Sequence, residues 1–226
     1  MLLLFDIDGT LLLQASREHA IALFDAMDQV HHVEVPRVRI DVAGLTDPAI
    51  ARAYLLRADV SAERIDARAS TVRAAVCRDF AQLCPPDLSS HVAPGMLEVL
   101  ETFTADAEMR LSIVTGNYEP VARLKLKRAG LGRFFPLGQG GFGNDDEDRA
   151  ALPEIARRRA GTNGRPWPAE RTVVIGDTPR DIACARADGS HVIAIATGSN
   201  TAQELAGADV VIEHASELPA AVARLH

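Results

Sequence analysis

Two carboxylates one residue apart, Asp6 and Asp8 in the segment Phe5-Asp6-Ile7-Asp8-Gly9-Thr10, follow directly on the apolar run Leu2-Leu3-Leu4-Phe5. The run predicts a short buried strand, so both acids emerge at its carboxyl end, the usual place for ligand sites in open α/β sheets. In extended chain the two side chains would share a face, but Gly9 lets the backbone break away and aim them differently. Such a pair divides labour when its members differ in pKa: one carboxylate attacks or binds a metal while the other moves protons. Alone, the segment also fits a strand running into a polar turn. A chance match over this chain is on the order of one in a thousand, so the partner groups decide.

Partner groups recur further along. Leu111-Ser112-Ile113-Val114 predicts a second strand ending in Thr115-Gly116-Asn117, and Thr172-Val173-Val174-Ile175 a third ending in Gly176-Asp177-Thr178-Pro179-Arg180-Asp181. Three β runs, each delivering short polar residues at its carboxyl end, are the pattern of one site assembled along one edge of a parallel sheet. Taken alone, Asp177 and Asp181 fit equally well as caps of a helix N-terminus.

The ordered set DIDGT, TGN and GDTPRD resembles the haloacid dehalogenase-like hydrolase superfamily, in its phosphoglycolate-phosphatase-like branch, over nearly the whole chain. The resemblance implies that Asp6 is a nucleophile carrying an aspartyl phosphate, and that Asp8 protonates the leaving oxygen and then activates water. It further implies that Thr115, with Gly116 or Asn117, binds phosphate oxygens, that Thr10 and Thr46 belong to the substrate side, and that Asp6, the backbone carbonyl of Asp8 and Asp177 hold Mg²⁺ with support from Asp181. A hard, oxygen-liganded cation suits such a carboxylate set, because attack by an anion on an anionic phosphate needs positive charge between them.

Members of this superfamily usually place a lysine between the second and last motifs. This chain has two lysines, Lys125 and Lys127, against 22 arginines, and both lie in the predicted helix 120–129, where they read as a solvated face. Arg149, at the head of a predicted helix 150–160, is the better candidate, although a guanidinium is a forked donor and an ammonium a point charge. Arg157 and Arg158 are expected to be exposed.

Composition fits a cytoplasmic enzyme with one sizeable core. The chain has 226 residues, 47% of them hydrophobic, and a mean hydropathy of +0.02, enough for a full core and a smaller second unit. A net charge of -7 argues against nucleic-acid or anionic-membrane partners, leaving a small phosphorylated metabolite and a monomer or homodimer. Three cysteines form no disulfide framework. The opening apolar run lacks the basic flank and length of a signal peptide, and no stretch is long enough to span a membrane. The excess of Arg over Lys, with abundant Ala, points to a GC-rich bacterial genome.

The predicted fold class is α/β: a doubly wound parallel sheet of Rossmann-like type with an inserted all-helical domain. Residues 1–14 and 90–226 are assigned to the core. Residues 15–89, with helices opened by Ser16, Asp47-Pro48 and Ser61, resemble the superfamily's C1 cap. From Pro94 onward helices and strands alternate, as right-handed βαβ units require. That stretch includes a short strand near 134–137, a helix from Ser199, a strand at Val210–Ile212 and a closing helix.

Several other features carry less. Gly138-Gln139-Gly140-Gly141-Phe142-Gly143 matches a dinucleotide fingerprint, but the acidic run 144–148 would repel a pyrophosphate and no helix starts inside it; it is expected to form a mobile loop. His31-His32 read as surface residues, Trp167 as an anchor of the turn before the third strand, and the cysteines as non-catalytic. Asp8 disfavours carbon–halogen hydrolysis, and the absence of lysine from the cap disfavours Schiff-base chemistry. A β-phosphoglucomutase-like transferase, for which His19 would serve but a cap lysine is missing, and a catalytically silent binding protein are the alternatives. Arg39 and Arg52 are candidate anion contacts.

Overall fold

The structure, a computed structural model, describes every residue except Arg39, Ser199 and His226. The opening apolar run forms β1 (Leu2–Phe5), whose side chains alternate between two cores: Leu3 and Phe5 enter one, Leu2 and Leu4 the other. A strand buried on both faces needs a central place in a sheet covered by helices on each side. β1 takes that place, pairing in parallel with β2 (Arg110–Thr115) and with β4 (Thr172–Gly176). With β3 (Gly141–Phe142), β5 (His191–Ile195) and β6 (Val210–Ile212), the described residues form a six-stranded parallel sheet of order β3-β2-β1-β4-β5-β6. The winding direction reverses between β1 and β4, which leaves the crevice that ligands occupy in doubly wound sheets.

Helices cover both faces. α4 (Met96–Ala105), α5 (Glu119–Arg128) and α8 (Leu218–Ala223) supply Leu100, Leu126 and Val222 to the core that holds Leu3 and Phe5. α6 (Leu152–Ala160) and α7 (Pro179–Asp188) supply Leu152 and Ala185 to the other. Between β1 and α4 the chain forms α1 (Arg17–His31), α2 (Asp47–Arg57) and α3 (Ala62–Leu83), with no strand in that stretch among the described residues. α3 buries Ile65, Val72, Val76 and Phe80 at near-helical spacing, each worth about 1.5–3 kcal/mol when removed from water. The Ser61 hydroxyl accepts from Arg64 N at 3.3 Å, which caps α3.

Local chemistry moved several predicted boundaries. Thr46, not Asp47, caps α2: its backbone is extended (φ -78°, ψ 152°) and its hydroxyl accepts from Ala49 N at 3.3 Å, so Asp47 is already helical. Ser16 stands before α1 without a side-chain cap bond, because its backbone is αR rather than extended. The stretch 134–137 is not a strand: Gly132–Phe134 is a 3₁₀ turn and Leu137 points into solvent. The strand there is β3, inside the glycine run. The second half of the run is closely packed: a Cβ on Gly141 would overlap the Leu152 carbonyl, and one on Gly143 the Gly116 carbonyl, whereas Gly138 is exposed. The helix expected from Ser199 begins on a residue outside those described, and 202–207 is a series of turns. No helix among the described residues is long and apolar enough to cross a membrane.

Candidate active site

Strand register brings the three motifs together. Phe5 lies level with Ile113 on β2 and with Ile175 on β4, so the residues that follow each strand open into the same space. Asp6 N still donates to Ile175 O at 2.9 Å, and the chain then turns back, with Leu11 and Leu12 N donating to Ile7 O and Gly9 at φ +94°. A cavity of about 860 Å³ opens here. Asp6, Asp8, Thr115, Asn117, Arg149 and Asp177 line its sheet side, and His19, Phe24 and Tyr54 line its helical side.

Asp6 and Asp177 lie at the floor of the cavity, and Asp181 is buried beside them. Asp6, Asp177 and Asp181 each bring a carboxylate oxygen within 4.8 Å of the others. Burial pushes the Asp6 carboxyl up to about 7 against the opposing charge of Arg149, with Asp181 and Asp8 adding repulsion. Burial, then repulsion from Asp6 and Asp181, pushes Asp177 up to about 8. Three clustered, buried carboxylates are a set of hard oxygen donors suited to Mg²⁺ or a similar cation. Arg149 is buried among them, with Nη2 3.2 Å from Asp6 Oδ1 and hydrogen-bonded to Asp181 Oδ1, and its Nε lacks a partner. Asp181 is also the third residue of a capping box on α7, its Oδ2 accepting from Thr178 N at 3.0 Å and Thr178 Oγ1 at 2.6 Å. It therefore serves the helix end and Arg149 at once.

Asp177 is enclosed by glycine. A Cβ on Gly198 or on Gly9 would overlap its carboxylate. Gly198→Ala is expected to displace the Asp177 carboxylate; if that carboxylate holds a cation, the change should weaken Mg²⁺ activation about 10–100-fold, the usual cost of disturbing the support of a metal ligand. Titration of activity against Mg²⁺ checks this, with an unchanged midpoint counting against it.

Asp8 is held differently. Lys125 Nζ lies 2.8 Å from its Oδ1 and 2.7 Å from its Oδ2, and Asn117 Nδ2 donates to Oδ2 at 2.9 Å. Burial alone would raise the Asp8 carboxyl, but the charge of Lys125, with hydrogen bonds from Lys125 and Asn117, outweighs it and holds the group below the ordinary carboxylate range. The expectation of a solvated Lys125 is thus wrong: the side chain is fully buried, while Lys127 is exposed. Helical spacing carried the signal, since Lys125 shares the buried face of α5 with Val121, Ala122 and Leu126. His19, buried on α1, completes the group at 3.4 Å from Lys125.

Thr115 Oγ1 accepts from Asn117 Nδ2 at 2.9 Å and from Asn117 N at 3.4 Å, and keeps its own hydrogen for a cavity ligand. Gly116 lines the cavity, and its carbonyl accepts from Asp47 N. Thr10 donates to Asp177 Oδ1 at 3.3 Å, which commits it to that acid. Thr46 does not reach the cavity: its hydroxyl donates to Glu147 O at 2.7 Å. Arg52 is tied to Glu147 at 2.5 Å and Asp66 at 2.6 Å and does not line the cavity. Arg39 lies outside the described residues. Thr197, which donates to Gly9 O at 2.8 Å, and Gly198 are cavity residues absent from the expected set.

Three further expectations are settled by contact and burial. Trp167 anchors its turn, with Nε1 donating to Arg171 O at 3.1 Å. Arg157 is not free but paired with Asp188 at 2.7 Å, and His31 is fully buried on the inner face of α1, leaving only His32 at the surface. Burial pushes the Cys77 thiol up to about 11 and Cys184 to about 12, and raises Cys84 as well, so none is a ready thiolate.

A family model of haloacid dehalogenase-like hydrolases matches residues 3–186. The chain belongs to that superfamily. It is 30% identical over 207 residues to the phosphoglycolate phosphatase of Rhodospirillum rubrum, covering 86% of this chain and 79% of that protein. Among solved structures it resembles CbbY from Rhodobacter sphaeroides, with TM-score 0.70, 20% identity and coverage of 96% and 95%. It also resembles a β-phosphoglucomutase from Clostridium difficile, with TM-score 0.69, 14% identity and coverage of 99% and 95%. These structural likenesses carry the fold of a haloacid dehalogenase-like hydrolase. The membership and the phosphatase relative together make the chain an enzyme, a hydrolase of the phosphatase kind.

Proposed function

We propose that the protein is a Mg²⁺-dependent phosphatase that cleaves a small phosphate monoester through a phosphoryl group carried on Asp6. The buried Asp6 carboxylate at the cavity floor, 3.2 Å from Arg149 Nη2 and clustered with Asp177 and Asp181, carries the reading. Asp6 attacks phosphorus as the bond to the leaving oxygen breaks, and Asp8 gives that oxygen a proton. Asp8 then takes a proton from water, whose oxygen attacks the phosphorus on Asp6 and frees both phosphate and carboxylate. The resting charge of Asp8 suits this second half, and an incoming phosphate beside it raises its pKa toward the form the first half needs.

Arg149, the Thr115 hydroxyl and the amides at Gly116 and Asn117 bind phosphate oxygens. Asp6, the Asp8 carbonyl and Asp177, with Asp181 in support, would hold Mg²⁺, which would supply positive charge to offset the repulsion between carboxylate and phosphate. Helices α1–α3 are read as a cap, residues 15–89, over a cavity sized for a metabolite. The name of the Rhodospirillum rubrum relative supports a phosphoglycolate-like substrate, and free cysteines support a cytoplasmic setting. The contact between His19 and Lys125 keeps a mutase-like transfer as the second reading; it predicts isomerised sugar phosphate in place of free phosphate.

Hydrolysis of p-nitrophenyl phosphate should vanish with chelator and return with Mg²⁺; metal-independent turnover would contradict the reading. A stability test follows from the acids. In the metal-free protein Asp6 and Asp177 titrate at about 7 and about 8, above their unfolded value near 4. The folded state therefore binds the extra protons, and the stability they contribute is full below about pH 4 and is lost as pH rises through 7–8. Mg²⁺ should accordingly raise Tm more at pH 8 than at pH 5 in calorimetry, and equal shifts would count against a metal on these acids.

A further inference from the structure

We propose that Lys125 is the positioning residue for Asp8, holding the carboxylate by both oxygens while Asn117 anchors one of them, so that the less committed oxygen is aimed at the leaving oxygen; this rests on the phosphatase reading above. A fully buried ammonium is costly unless every N–H finds an acceptor. Lys125 Nζ meets both Asp8 oxygens, Asn117 Oδ1 at 2.9 Å and His19 Nδ1 at 3.4 Å, which accounts for its three donors. It is not a cavity-lining residue, whereas Asp8 is, so any effect on substrate passes through Asp8.

The contacts on Asp8 are unequal. Oδ2 receives Lys125 and Asn117, while Oδ1 receives Lys125 alone. Oδ2 is the anchor, and Oδ1 keeps lone-pair capacity for chemistry. Asn117 extends the same frame to the phosphate side, because its Nδ2 also donates to Thr115 Oγ1 at 2.9 Å. The proton-handling acid and the phosphate-binding hydroxyl are therefore set by one amide, which Lys125 orients by taking its carbonyl.

The lysine is itself held from the helical side. An ammonium facing His19 Nδ1 makes that nitrogen an acceptor and leaves the proton on Nε2, which lies 3.1 Å from Asp47 Oδ2. Asp47 Oδ2 also accepts from Tyr118 N at 2.7 Å, and the Phe80 ring of α3 packs edge-on against His19 with centroids 5.5 Å apart. All three helices between β1 and α4 thus contribute to where Asp8 points.

The test compares leaving groups. Lys125→Met should lower kcat/KM for an alkyl phosphate, which reports the step that expels the leaving group, about 100-fold, the scale of a lost general acid. The loss for p-nitrophenyl phosphate should be several-fold smaller, since that leaving group needs little protonation. Adding Lys125→Met to Asp8→Asn should cost nothing further. The double variant leaves no unpaired buried charge, so it serves even if Lys125→Met alone fails to fold. Equal losses for both esters, full activity of Lys125→Met, or additive losses in the double variant would overturn the assignment. A wild type inactive on both esters would instead overturn the phosphatase reading beneath it.

Discussion

Asp6→Asn is expected to abolish turnover, lowering kcat by roughly 10⁴–10⁶, the range seen when a covalent nucleophile is removed. The amide keeps the volume of the carboxylate but has no charge to attack phosphorus and one oxygen fewer for a cation. The fold should not suffer. Burial, with repulsion from Asp181 and Asp8, holds the Asp6 carboxyl up at about 7 despite Arg149, so a neutral side chain relieves strain at neutral pH. Without metal, the Tm of Asp6→Asn at pH 8 should match or exceed that of the wild type. An inactive variant with lowered Tm would point to structural damage.

Arg149→Ala carries the second largest effect, because it removes a charge that two acids share. Loss of a preorganised cation at the phosphate should cost on the order of 10²–10³ in kcat/KM. It also leaves Asp181 buried without its partner, at a cost of about 3–5 kcal/mol to the fold. Both contacts come from one nitrogen, Nη2, with Asp6 Oδ1 and with Asp181 Oδ1. A single ammonium at that point would make both, so Arg149→Lys should recover at least about tenfold of what Ala loses, on the same charge-stabilisation scale. Paired kcat/KM and Tm measurements check this, and a lysine variant no better than alanine would show that the guanidinium fork matters.

Asp6 and Asp177 were legible because each directly follows its own strand, and a parallel sheet with β1 at its centre aligns those ends; Asp181 lies in the first turn of the helix that follows Asp177. Arg149 was legible from its place at the head of a helix. Lys125 was not, because its charge suggested solvent while its period placed it among Val121, Ala122 and Leu126. His31 shows the same conflict, lying on the α1 face with Leu23 and Met27. In both, helical position overrode side-chain polarity. β3 escaped because two residues carry no periodicity, and Gly141 within it and Gly143 just after it are required by close backbone packing against Leu152 and Gly116. Thr46 was misassigned to the substrate because its cap of α2 and its bond to Glu147, 101 residues away, depend on tertiary contact.

The most direct test of the account is to look for the phosphoryl group on Asp6. Asp8→Asn, which slows attack by water, is mixed with Mg²⁺ and p-nitrophenyl phosphate, quenched in acid, digested and analysed by mass spectrometry. A phosphoryl adduct on the peptide containing Asp6, absent in Asp6→Asn, is the predicted result. An adduct on another residue, or none while the wild type turns over, would contradict the proposed mechanism.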